Sequence, residues 1–290
     1  TALSQGLPHY THLLTQLAAQ AALAERRADI GVRDVDAAVN RAIDRAQQSI
    51  VEAYREAVTG RPGTIYPQVL LACALAVTSA REGLRTLLVD ADPLGGGLDV
   101  LLGGETAEGL RWPAFAASRG RVGGGALEES LPELHSLRVL SWDRGDCVAI
   151  PSQAVRAVLA AARRRGGTVV VDLPRRIDDG VAEALAQLDV GLLVVPGELR
   201  AIAAAGRVAS AVGMVLRDLR VAVRAPYAPG LDDREVARLL GLPLAGEVPV
   251  ETALTRPTDS RTPPAAGGRG PLARFCKGFW ERALTEARAA

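Results

Sequence analysis

Lysine is almost absent from this chain. Lys277 is the only one among 290 residues, and the rest of its 34 basic side chains are arginine. Chemistry that needs a lysine must use Lys277 or do without it. Cysteine is nearly as sparse. Cys73, Cys147 and Cys276 stand far apart with no CxxC pair, which argues against a disulfide framework or a zinc site and points to a reducing compartment. The three histidines show no metal-ligand spacing beyond His9 and His12, a pair expected on one helix face. Aromatics make up only 3% of the residues, so the core must be built from Ala, Val and Leu. There is no apolar run of membrane-spanning length and no leader pattern, so the sequence reads as cytoplasmic. A net charge of +1 favours neither nucleic acid nor its exclusion.

What is present is ordinary globular material, 48% hydrophobic and 23% charged. Residues 1–58 read as helical. Leu13, Leu14, Leu17, Ala21 and Leu23 recur at helical spacing, as do Val35, Val39, Ile43, Ile50, Tyr54 and Val58, with Asp34 expected to cap the second helix. Gly60-Arg61-Pro62-Gly63 breaks this pattern. A buried helix is then expected over 68–80 and a strand over 86–90. Further strands are expected at 137–141, 168–172, 190–195, 219–223 and 245–248. Helices alternate with them at 152–165, capped by Ser152, and at 179–187, 201–215 and 232–240. Uncharged Val/Leu strand cores alternating with helices predict an α/β fold: a mostly parallel, doubly wound sheet covered on both faces. Residues 256–270, rich in Pro and Gly, read as a linker, and 271–290 as an amphipathic helix.

The densest signal is Leu87-Leu88-Val89-Asp90-Ala91-Asp92-Pro93-Leu94-Gly95-Gly96-Gly97-Leu98-Asp99. An apolar strand ends in two aspartates one residue apart and then a glycine-rich turn, at the carboxyl edge where α/β proteins bind ligands. The same residues also suit a plain Asp-Pro turn. Val169-Val170-Val171-Asp172-Leu173-Pro174 repeats the pattern with one aspartate, in the form of a Walker B strand whose carboxylate holds Mg²⁺.

The Leu87–Asp99 run resembles the switch segment of the ParA/MinD-type P-loop ATPases. The likeness tightens through Gly109-Leu110-Arg111-Trp112-Pro113, Leu140-Ser141-Trp142-Asp143-Arg144-Gly145, Val171-Asp172-Leu173-Pro174-Arg175-Arg176, Leu193 to Arg200, Leu242 to Glu247 and Arg269 to Cys276. Over roughly residues 74–286 these runs resemble the septum site-determining (Ssd) proteins, related to the CpaE/TadZ localisation proteins. The resemblance implies a regulator of cell division or polar localisation on a MinD-like, P-loop NTPase-related fold. ATP and Mg²⁺ would be its cofactors, and division or localisation proteins its partners. It implies Asp92 as the catalytic switch residue, with Asp90 beside it and Gly95 in the same loop. Asp172 would serve as the Mg²⁺ residue, with Arg224-Ala225-Pro226 near the adenine. A homodimer, and peripheral membrane contact through 271–290, are further implications.

The sequence departs from that pattern where it should cradle phosphate. Thr59-Gly60-Arg61-Pro62-Gly63-Thr64-Ile65-Tyr66-Pro67 carries no GK[ST]; its prolines remove amide donors, and no apolar strand precedes it. The expectation is a degenerate nucleotide site and action by partner recruitment, against an active ATP-driven dimerisation switch. The first strand of such a sheet would be missing, with a segment around Ile65 a candidate to replace it.

The first 76 residues resemble the helical lid of origin-recognition-type AAA+ ATPases. The likeness rests on Gly6-Leu7-Pro8-His9-Tyr10-Thr11-His12, Ala46-Gln47-Gln48-Ser49-Ile50 and Tyr66 to Ala76. That implies a fusion joined within Leu71–Ala76, with His9 at a sensor-2 turn, and opens a third reading as an AAA+-related, nucleic-acid-associated protein. Arg163-Arg164-Arg165 and Arg175-Arg176 lack interleaved aromatics, so nucleic acid is the less favoured partner. The expected organisation is a lid-like segment at 1–66, a MinD/ParA-like domain at 67–255, the linker and the final helix. That helix either docks on the protein's own sheet through Leu272, Phe275, Phe279 and Leu284 or lies on a membrane.

Overall fold

A computed structural model describes residues 18–23, 27, 29–31, 33–35, 37–38, 67–116, 123–143, 145, 150–249 and 263–289. The chain divides into two compact units, Thr1–Pro62 and Gly63–Ala290. Within the first, Ala18 and Ala22 are buried one helical turn apart, whereas Leu23 is exposed. Asp34 does not cap its helix from outside. The carbonyl of Gly31 accepts the first helical bonds, from the amides of Asp34 and Val35. Asp34 then sits in the first turn, where its carboxylate accepts the Gly31 N–H at 2.8 Å and grips Arg27 through two bonds. That is the reaching-back half of a capping box. His9, His12, Ile43, Ile50, Ile65, Tyr66 and the glycine/proline stretch 59–66 lie outside the described residues, as does Cys147.

The second unit begins with α1 (Pro67–Arg81), uncharged until its last turn and buried from Leu71 to Ser79. Helix α1 leads through Gly83 into β1 (Thr86–Asp90), which is buried at every position. Three short helices follow: α2 (Leu98–Leu101), α3 (Trp112–Ala116) and α4 (Gly124–Ser130). Each is pinned by one or two large apolar side chains, namely Leu98, Trp112 with Phe115, and Leu127. Too few periods repeat for a sequence pattern to show them. Strand β2 (Glu133–Leu134) turns tightly into β3 (Leu137–Leu140).

The rest alternates as the periodicity predicts. It runs α5 (Ser152–Arg165), β4 (Thr168–Asp172), α6 (Asp179–Leu185), β5 (Gly191–Pro196), α7 (Leu199–Gly213), β6 (Leu219–Arg224), α8 (Asp233–Leu240), β7 (Leu244–Glu247) and α9 (Pro271–Ala289). Helix α5 starts from Pro151 with no side-chain cap, because Ser152 is already inside its first turn. The aspartate caps belong to α6 and α8, where Asp178 and Asp232 accept the Val181 and Glu235 N–H groups. Gly167, at φ 96°, is forced by the return into β4: a Cβ there would sit 2.3 Å from the Arg85 carbonyl oxygen.

The strands form two sheets. One has the order β2-β3-β1-β4, parallel except for the β2–β3 turn, and the other is β5-β6-β7, all parallel. Strand β1 is therefore paired on both sides. Among the described residues the sheets end on β2 and β4 and on β5 and β7, and β4 and β5 are only half-buried at most positions. One core nevertheless spans the two sheets. Leu71 to Val77 of α1 pack with Leu88 and Val170 from the first sheet and with Ala222, Leu192 and Val194 from the second.

Helix α9 closes that core. Leu272, Ala273, Cys276 and Phe279 are buried against α1, and Trp280 donates its indole N–H to the Leu75 carbonyl at 2.9 Å. Each fully buried large side chain of this kind is worth about 2 kcal/mol. The apolar stripe considered for a membrane surface is thus largely inside the protein. Leu284 is 37% exposed. Within the stretch expected as a linker, Pro263, Pro264 and Ala265 are buried and Ala265 joins the same core. Residues 256–262 lie outside the described ones. Among the described residues no helix is long and apolar enough to cross a membrane.

Candidate carboxylate site at the sheet edge

Strands β1 and β4 run in register, so Asp90 and Asp172 end side by side, and the Ala91 N–H donates to the Asp172 carbonyl at 2.9 Å. Burial treats the two carboxyls differently. Asp90 is 2% exposed. Its Oδ1 accepts the Asp92 N–H at 3.2 Å; its Oδ2 accepts the Leu98 N–H and the Ser141 hydroxyl, both at 3.0 Å. It therefore closes the glycine-rich loop from Ala91 to Gly97 like a clasp. Burial pushes its pKa up to about 6, against the pull of those three bonds.

The clasp has its own support. Ser141 Oγ also lies 3.1 Å from Asp99 Oδ1, and its single proton serves one carboxylate at a time. Asp99 is fully buried and faces Arg111, whose Nη2 lies 3.6 Å away. The Arg111 guanidinium also donates to the carbonyls of Gly109 and Ala107, both at 3.1 Å. Trp112 donates its indole N–H to the Asp90 carbonyl at 2.6 Å and its backbone N–H to the Ser141 carbonyl. Trp142 packs against the Trp112 ring at 6.0 Å. Ser141, Asp99, Arg111 and Trp112 carry no sequence signature as a set. The one hint is that Asp99 directly follows a glycine run and an apolar residue, where a solvated turn would end.

Asp92 is half-buried and closes the following turn. Its Oδ1 accepts the Leu94 N–H at 3.0 Å, and its carbonyl accepts the Gly95 N–H at 3.1 Å. Gly95 fits tightly there, since a Cβ would stand 3.2 Å from the Asp92 carbonyl oxygen. The Asp-Pro turn is thus fully made by its own residues.

Asp172 is different. No hydrogen bond reaches its carboxylate among the described residues. Burial, followed by the negative charges of Asp90 and Asp92, raises its pKa to about 7. Burial and the same aspartates, Asp172 and Asp90, raise the Cys73 thiol well above its usual value. Cys73 is fully buried on α1, within electrostatic reach of the two carboxylates. Asp90, Asp92, Gly95 and Asp172 therefore do come together. Pro226 does not join them: it follows β6 in the other sheet, after a cis Ala225–Pro226 bond, beside Gly197 and Tyr227.

Lys277 lies at the far end. It pairs with Glu82 at 3.1 Å, where α1 turns into the start of β1, whereas the aspartates stand at the end of β1. Phosphate needs amide donors and a cation. The described residues around Asp90 and Asp172 offer three carboxylates and no lysine, and the stretch 59–66, where the sequence would have to supply a phosphate cradle, lies outside the described residues. Among the described residues, no group of three or more His, Cys, Asp or Glu has the geometry to hold a metal ion. Of the arginine runs, Arg163 and Arg165 are paired with Asp189 and Glu128, and Arg175 and Arg176 stand exposed after β4.

The architecture is the MinD/ParA-like α/β fold. The chain is similar to the MinC:MinD cell division complex of Aquifex aeolicus, with a TM-score of 0.61, 21% identity, and coverage of 78% of this chain and 93% of that one. It is also similar to a ParA family ATPase from Chlorobium tepidum (0.59; 19%; 74% and 92%). A third likeness is to the septum site-determining protein MinD of Pyrococcus horikoshii in complex with Mg-ADP (0.54; 13%; 80% and 95%). These identities establish fold alone. No family model matches the chain. By sequence it is 41% identical over 183 residues, 63% of its length, to the uncharacterised Mycobacterium tuberculosis protein Rv3660c. The chain spans about half the length of the curated relatives it matches, 52% of each.

Proposed function

We propose that this chain is a MinD/ParA-like localisation regulator of the septum site-determining type, related to the CpaE/TadZ branch, which acts by recruiting division or localisation proteins. In this reading its nucleotide site is degenerate, and the Asp90–Asp92 loop is a fixed recognition element. The observation that carries it is the state of Asp90: all three of its hydrogen bonds come from the protein, so the carboxyl is committed to shaping the loop. The distance of the only lysine from this edge supports the same reading, as does the fold shared with a MinC-bound MinD.

An active ATP switch is the second reading, favoured by one feature. Among the described residues no hydrogen bond reaches the Asp172 carboxylate, where the resemblance places Mg²⁺, and a structural neighbour carries Mg-ADP. Thermal unfolding with millimolar ATP and Mg²⁺ separates the two. The expected result is an unchanged melting temperature. A saturable stabilisation, about 2.7 kcal/mol at a hundredfold excess over Kd, would instead establish nucleotide binding.

A further inference from the structure

We propose that the Ser141 hydroxyl is a two-position coupler between the Asp90–Asp92 loop and the loop from Gly104 to Arg111, its one proton held by one side at the expense of the other. Ser141 follows β3, and its Oγ lies 3.0 Å from Asp90 Oδ2 and 3.1 Å from Asp99 Oδ1. A hydroxyl has one proton to donate, so two nearly equal contacts to carboxylate oxygens are two alternative hydrogen bonds. All three side chains are buried. Ser141 and Asp99 are fully so, which keeps either from turning to bulk water instead. The Ser141 backbone is itself held, because its carbonyl accepts the Trp112 N–H at 3.1 Å. What is left to turn is the hydroxyl.

Each position has a consequence one step away. Asp90 Oδ2 is the same oxygen that accepts the Leu98 N–H at 3.0 Å, and Oδ1 accepts the Asp92 N–H at 3.2 Å. With the proton on Asp90, both ends of the glycine-rich loop are drawn to one fully engaged carboxylate. With the proton on Asp99, Asp90 Oδ2 faces an oxygen lone pair, and its hold on Leu98 weakens. Asp99 stands in the mirror position. Its Oδ1 accepts the Val100 N–H at 3.0 Å, and its Oδ2 faces Arg111 Nη2 at 3.6 Å. Arg111 in turn grips its own loop through the carbonyls of Ala107 and Gly109. The guanidinium charge is what lets Asp99 give up the hydroxyl. When Arg111 withdraws, Asp99 draws the proton back.

The two loops each present an exposed leucine. Leu94 follows the Asp92-Pro93 turn, and Leu110 directly precedes Arg111. A contact that shifts Arg111 is therefore felt in the loop under Leu94, and the reverse holds by linkage. The path of each loop is the same in both positions; what changes is how firmly its amides are held. The coupling involves neither a nucleotide nor the identity of a partner, so the inference stands apart from the functional reading above.

Amide hydrogen exchange on the whole chain, read at individual residues, tests it. In Asp99→Asn a neutral amide competes for the proton far more weakly than a carboxylate, so the proton settles on Asp90. Exchange at Asp92 and Leu98 should slow by about fivefold or more. Exchange at Ala107 and Leu110 should speed up, since Arg111 has lost its charge partner. A purely structural role for Asp99 would speed both loops. Arg111→Gln should act oppositely on the first loop: Asp99 keeps the proton, and Asp92 and Leu98 exchange faster. In a Ser141→Ala background neither substitution should alter exchange at Asp92 and Leu98. Unchanged or faster exchange there in Asp99→Asn, or slowing that persists without the Ser141 hydroxyl, would overturn the proposal. If Asp99→Asn does not fold, Arg111→Gln decides alone. Faster exchange that vanishes in the Ser141→Ala background upholds the coupling, and exchange equal to the parent's removes it.

Discussion

Asp90 and Asp172 are paired residues at the ends of adjacent parallel strands, yet they live in opposite circumstances. Strand β1 has a neighbour on each side, and its loop folds back over its end. Asp90 is therefore buried, with three donors supplied by that loop and by Ser141, the residue after β3. Strand β4 has one unpaired edge among the described residues. Asp172 is only half-buried and receives no donor among those residues. The same residue type, one strand apart, is a structural clasp in one case and a strained titratable group in the other. The difference comes from what lies on either side of the strand.

The largest expected effect is at the clasp. Asp90→Ala removes one carboxyl and leaves the Leu98 and Asp92 amides without their acceptor in a buried place, while the Ser141 hydroxyl keeps Asp99. Chemical denaturation should show a loss of about 3 kcal/mol or more. A loss below about 1 kcal/mol would mean that Asp90 is no more a clasp than Asp172.

Asp172→Asn should act in the opposite direction. A carboxyl whose folded pKa lies above its unfolded value contributes stability that is complete below about pH 4 and is lost as pH rises through the folded pKa. With Asp172 raised to about 7 and Asp90 to about 6, unfolding free energy should fall between about pH 4 and pH 7. The asparagine variant should flatten that fall and be more stable than the parent by about 2 kcal/mol at pH 8. Equal pH profiles for parent and variant would remove the contrast between the two carboxyls.

The smallest effect belongs to Asp92. Asp92→Ala forfeits one bond, to the Leu94 amide, at a half-exposed turn. Its cost should be about 1 kcal/mol or less by the same denaturation measurement. A loss as large as that of Asp90→Ala would place Asp92 inside the clasp.

Much of the frame is legible in the residues. The strands ending at Asp90 and Asp172 lie where uncharged Val/Leu runs stop at an aspartate, and Gly166-Gly167 marks the end of α5. The stretch from Leu98 to Leu134 is not legible, because its helices have four to seven residues and are held by isolated anchors such as Trp112 and Leu127. The role of Asp90 is equally hidden. Its partners Leu98 and Ser141 are eight and fifty-one residues away, and no local pattern records a bond that the fold alone brings together. Asp34 illustrates the same limit at short range, since a cap and a residue reaching back to a cap look alike in sequence.

By itself, the sequence determined the alternating α/β order, the two strands that carry the aspartates, and the near-absence of lysine. Those follow from local periodicity and composition. Only the tertiary structure decided that β1 is paired on both sides, that α9 packs into the core through Leu272 and Phe279, and that, among the described residues, Asp90 receives three hydrogen bonds and Asp172 none. Pairing partners, burial and hydrogen-bond donors come from residues distant in the chain, and strand neighbours are chosen by the packing of the whole sheet.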